Sequence, residues 1–120
     1  MKVTVTATAP DLDAPMDPRF GRAACFLVVD TDTMSWSVVE NTQNLNAAQG
    51  AGIQAGRTVV ETGSEALITG NCGPKAFRIV KGAGMRIVTG AKGTAREAVE
   101  QFKAGSLAEA SGANVEGHWI

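Results

Sequence analysis

Two cysteines, two glycine-rich turns and four cations carry the chemistry that can be read from this chain. Cys25 and Cys72 stand far apart and outside any C-x-x-C spacing, so they form neither a disulfide scaffold nor a four-ligand zinc site and read as free thiols. Thiolates are soft metal ligands. Cys72 lies in Gly70-Asn71-Cys72-Gly73-Pro74, just ahead of the helix that Pro74 opens, where a helix N-terminus lowers a thiol pKa. It is the first candidate ligand. Cys25, flanked by Ala24 and Phe26 at a strand start, is the second, because that setting more often buries sulfur. Around them, Gly70, Gly73, Gly90 and Gly93 are expected to let backbone approach a ligand closely. Arg19, Arg22, Lys75 and Lys92 fall in the same loops. Such a set suits an anion, with soft ligands at hand.

Other chemistry lacks its parts. His118 is the only histidine, so a histidine pair is excluded, and the terminal His118-Trp119 reads as a docked or frayed end. Gly50-Ala51-Gly52 and Gly82-Ala83-Gly84 fall short of the G-x-G-x-x-G fingerprint, and no G-x-x-x-x-G-K-[ST] occurs, which disfavours nucleotide phosphate binding. The first strand has no Asp or Glu for a two-metal nuclease. With no base, nucleophile and orienter together, no enzyme is expected.

The elements must bring these loops together. Lys2 to Thr8 alternates Val and Ala with Thr, a period of two that predicts a strand. Ala9 to Arg22 carries Pro10, Pro15, Pro18 and Gly21 and reads as a long loop. Cys25 to Asp30 and Ser35 to Asn41 are strand-like around a Thr31-Asp32-Thr33 connection, which completes an antiparallel meander. Gln49 to Thr62 reads as a helix rich in small residues and stopped by Gly63. Glu65 to Thr69 and Met85 to Thr89 are short apolar runs expected as buried parallel strands. Pro74 to about Lys81 predicts the second helix, and Thr94-Ala95-Arg96-Glu97 is a capping box opening the third.

The order β-β-β-α-β-α-β-α predicts an α/β fold. It has a mixed five-stranded sheet, with the first strand central, parallel to the fourth and fifth and antiparallel to the second. Ligands of such sheets sit at the carboxyl ends of the parallel strands, where three of the loops above would meet. With strands about 4.8 Å apart, the two thiols are expected about 10 Å from each other, on opposite walls of a ligand.

At 120 residues the chain is long enough for one domain, taken as residues 1–107 with a C-terminal tail over 108–120. Eleven Lys and Arg against twelve Asp and Glu leave a net charge of −1, which offers no field for nonspecific nucleic-acid binding. No 18-residue apolar run predicts a membrane span, and Met1 to Pro10 lacks the apolar core of a signal peptide. A cytoplasmic location is expected.

Four stretches resemble one family: Pro18-Arg19-Phe20-Gly21-Arg22-Ala23, Val39-Glu40-Asn41, Thr69-Gly70-Asn71-Cys72-Gly73-Pro74-Lys75-Ala76, and Thr89-Gly90-Ala91-Lys92-Gly93-Thr94. They are similar to the dinitrogenase iron–molybdenum cofactor biosynthesis family, with its NifX and NafY carriers and the C-terminal part of NifB, over about Lys2 to Leu107. The resemblance implies a ribonuclease-H-like fold and a non-catalytic role in binding or carrying anionic metal–sulfur clusters. One branch, the orange proteins, holds a molybdenum–copper sulfide cluster non-covalently, and Asn71-Cys72 and the short chain resemble that branch. Its cargo here would be a molybdenum–copper sulfide or iron–molybdenum–sulfur cluster. Many members carry histidine after the third strand, whereas this chain reads Asn44-Leu45-Asn46-Ala47-Ala48-Gln49-Gly50, so binding would rest on charge, backbone N–H groups and thiols. The rival expectation is a module of the same fold that docks on a partner protein and holds no cluster.

Overall fold

A computed structural model describes residues 1–41, 51–110 and 112. Five strands and three helices follow in the expected order: β1 (Lys2–Ala7), β2 (Cys25–Asp30), β3 (Trp36–Glu40), α1 (Ala51–Glu61), β4 (Ala66–Ile68), α2 (Pro74–Gly82), β5 (Arg86–Val88) and α3 (Ala95–Lys103). The sheet order is β3-β2-β1-β4-β5. β1 pairs antiparallel with β2 and parallel with β4, and β4 pairs parallel with β5. The architecture is the ribonuclease-H-like α/β sheet. The β2–β3 hairpin closes between Asp30 and Ser35, with Met34 in the left-handed region at φ 60°.

Period-two patterning assigns side chains to the two faces. On one face Val3, Val5, Leu27, Val29, Ile68 and Val88 pack with Ala95, Ala98 and Val99 of α3. On the other, Phe26, Leu67 and Ile87 pack with Ala55 and Val59 of α1 and Ala76 and Val80 of α2. Each fully buried Val, Leu or Ile contributes on the order of 1.5–3 kcal/mol, so both layers are needed. The alternating threonines of β1 do not face water. Thr4 and Thr6 are fully buried, because α1 and α2 cover that face as well. Their hydroxyls are satisfied inside: Thr4 Oγ1 bonds Ser64 Oγ at 2.7 Å, and Thr6 Oγ1 donates to the Asp17 carbonyl at 2.6 Å. The second bond ties the central strand to the β1–β2 loop.

Past Leu107 the chain runs along the edge of β5. Glu109 bridges Val88, and the Ala110 N–H donates to the Ile87 carbonyl at 2.7 Å. Glu109 also pairs with Lys81 at 3.3 Å and Arg86 at 3.6 Å. The expected helix start at Gln49, the stretch Asn44 to Gly50, and His118 and Trp119 lie outside the described residues.

Candidate functional site

The carboxyl ends of β1, β4 and β5 gather residues 8–24, 69–73 and 89–94, and backbone hydrogen bonds stitch these loops into one surface. Met16 N–H donates to the Gly93 carbonyl (2.9 Å) and Gly90 N–H to the Gly70 carbonyl (3.1 Å). Asn71 N–H donates to the Pro18 carbonyl (2.7 Å), and Phe20 N–H to the Asn71 carbonyl (3.3 Å). Arg19 and Asn71 thus form a parallel bridge. Arg19, Arg22 and Lys92 are exposed on these loops, and Lys75 is exposed in the first turn of α2.

Two of the glycines are required by the loops themselves. A Cβ on Gly70 would lie 2.7 Å from Pro18 Cα and 2.9 Å from its carbonyl oxygen, so the close approach that Gly70 permits is to the neighbouring loop. Gly93 has φ +89°, and a Cβ there would lie 2.7 Å from Glu97 Oε1, the carboxylate that accepts from Thr94 N–H to complete the α3 capping box. Both positions thus have a reason for glycine within the protein itself.

The two helix N-termini differ. At α3 the amides of Ala95 and Arg96 donate to the carbonyls of Ala14 (2.9 Å) and Leu12 (2.8 Å), and Glu97 N–H donates to Thr94 Oγ1. Arg96 Nε donates to Asp13 Oδ1 at 2.9 Å, and this contact holds the Asp13 carboxyl below its usual range. Long-range carbonyls and a carboxylate have therefore taken that terminus. At α2, Gly73 is the N-cap with no side chain to bond the first turn, and Pro74 has no N–H. The first-turn amides of Lys75 and Ala76 lack intrahelical partners there, and Lys75 is an exposed cation of that same turn. Lys92 belongs to the α3 side, where its N–H donates to Gln101 Oε1 and its carbonyl accepts from Gln101 Nε2.

Cys25 is buried, as its strand-start setting led one to expect, whereas Cys72 departs from expectation. Cys72 is fully buried in the α1/α2-side core, with Sγ 3.7 Å from the Gly73 carbonyl oxygen. Burial pushes its thiol up to about 12, opposite to the lowering expected from the helix N-terminus, because the sulfur points into apolar packing. Cys25 belongs to the α3-side core. Burial pushes its thiol up too, with the Glu40 charge adding. The two sulfurs thus belong to opposite faces of the sheet rather than opposite walls of one site. Among the described residues, no group of three His, Cys, Asp or Glu side chains is placed to hold a metal ion.

Two residues take roles that the sequence reading did not assign them. Asp17 is buried and accepts from Arg19 N–H (2.9 Å), with Arg19 Nε at 3.5 Å. The Asp17-Pro18-Arg19 spacing of an Asx turn could have signalled it. Asn41, just after β3, donates through Nδ2 to the carbonyls of Gly21 (3.1 Å) and Ala23 (2.8 Å). No local pattern announces that contact, which joins positions far apart in the chain.

Residues 1–105 match the family described as dinitrogenase iron-molybdenum cofactor. The chain belongs to that family. Its structure is similar to that of the apo orange protein from Desulfovibrio gigas, with a TM-score of 0.85 and 42% identity over 95% of this chain and 96% of that one. A NifB-like protein from Thermotoga follows at TM-score 0.76 and 29% identity, covering 97% and 98% of the two chains. An uncharacterised Methanocaldococcus jannaschii protein is 27% identical over 95 residues, 77% of this chain and 80% of its own. Among the described residues no helix is long and apolar enough to cross a membrane.

Proposed function

We propose that this family member is a non-catalytic carrier of an anionic molybdenum-containing metal–sulfur cluster, held without covalent ligation at the carboxyl edge of the sheet. The observation that carries this reading is the N-terminus of α2, whose first turn no side chain caps among the described residues, with Lys75 in that turn and the Arg19 loop bridged to Asn71 beside it. First-turn amides and cations bind a polyanion through N–H donors and charge. The residues fit a sulfide cluster on those terms and do not fit thiolate ligation, since both sulfurs are buried and burial disfavours the thiolate at each. Likeness to the orange protein supports a molybdenum–copper sulfide as the cargo, and the family supports an iron–molybdenum–sulfur cluster as the related choice.

The test is charge reversal. Arg22→Glu/Lys75→Glu protein, reconstituted with molybdate, copper and sulfide and desalted, is expected to lose the visible absorbance and bound metal that the unaltered chain keeps, with an unchanged unfolding midpoint. Full retention would overturn the reading. A second reading, a docking module with no cluster, is favoured by Trp36 and Val38, which lie 41% and 39% exposed on edge strand β3. Absence of bound metal from the reconstituted wild-type chain would favour it.

A further inference from the structure

We infer that Asn41 is a positioning residue for Arg22, a role that rests on the carrier reading above. Arg22 occupies the third position of a turn closed by the Ala23 N–H donating to the Phe20 carbonyl (3.4 Å). The carbonyls on either side of Arg22, those of Gly21 and Ala23, both accept from the single Asn41 amide. Only an –NH2 group supplies two donors from one short uncharged side chain. A carboxylate supplies none and a hydroxyl supplies one. Asn41 is 7% exposed, and its Oδ1 is buried without a hydrogen-bond partner among the described residues. A buried acceptor left unpaired is costly, so an apolar residue would serve packing better. What the amide provides is the pair of bonds that fixes the backbone beneath Arg22. The turn is also joined onward, since Phe20 N–H donates to the Asn71 carbonyl in the loop that leads into α2. Asn41 therefore fixes the stretch of backbone from which the Arg22 side chain leaves, in a loop joined to the one that opens α2, although its own amide bonds only backbone carbonyls.

The experiment is a double-mutant cycle read by retention of tetrathiomolybdate with copper at increasing salt. Asn41→Ala is expected to weaken retention by about as much as Arg22→Gln and to add nothing in the Arg22→Gln background. In the Lys75→Gln background its effect should be fully additive, because positioning acts through Arg22 alone. Asn41→Ser, which keeps one donor and disturbs packing less, should fall between wild type and Asn41→Ala. It also replaces Asn41→Ala in the cycle if that variant unfolds. A further loss on adding Asn41→Ala or Asn41→Ser to Arg22→Gln would overturn the inference and leave the carrier reading standing. Failure of the wild-type chain to retain the probe would overturn the carrier reading itself.

Discussion

A thiol whose pKa stands near 12 carries roughly a thousandth of the thiolate that the same group would carry at its ordinary 9.0, for any pH well below both values. Cys72 is expected to alkylate in the native protein at least a thousandfold more slowly at pH 8 than in urea, and Cys25 to be slowed as well; mass spectrometry of iodoacetamide-treated samples checks both. Fast native labelling of Cys72 would mean that its sulfur reaches the surface. The same shift fixes a pH dependence. The folded chain keeps the Cys72 proton while the unfolded chain releases it from pH 9 upward, so this contribution to stability is whole below pH 9 and is lost as pH climbs toward 12. Urea midpoints measured from pH 8 to pH 11 should therefore fall, and fall less in Cys72→Ala protein. The residue types at the site were legible because glycine, proline and cations mark loops. The inward turn of Cys72 was not, because the sequence does not say which side of a loop faces the core formed by Phe20, Ala76 and Val80.

At the scale of elements, the two helix N-termini that look alike in sequence play different parts. The α3 capping box was legible because Thr94 and Glu97 act within four residues. Occupation of the α3 amides by Leu12 and Ala14 was not, since those partners, like the Arg96–Asp13 pair, lie some eighty residues away. Thr94→Ala should cost about 1 kcal/mol of stability, read from urea unfolding, and leave cluster retention unchanged, because that helix end is spoken for by the protein itself. Loss of retention in this variant would return α3 to the site. Gly70→Ala tests the other junction. Its Cβ meets the Pro18 backbone, which cannot rotate away as a side chain would, so the two loops must part at a cost of about 1–3 kcal/mol, with retention weakened as the Arg19–Asn71 bridge opens.

For the molecule as a whole, strand order was legible because short parallel strands separated by helices admit few right-handed connections, and β1 falls in the centre in most of them. The burial of Thr4 and Thr6 was not legible, since alternation reports period and not which layers arrive later in the chain. That double-sided burial makes the sheet a rigid base for three stitched loops, and charge on those loops is what the account asks to hold the cargo. The most direct measurement is retention of a reconstituted molybdenum–copper sulfide by Cys25→Ser/Cys72→Ala protein, followed by metal analysis across a salt series. The account predicts wild-type retention at low salt and progressive release as ionic strength rises, because screening weakens exposed charge contacts. A cluster lost on removing the cysteines, yet indifferent to salt in the wild-type chain, would contradict it.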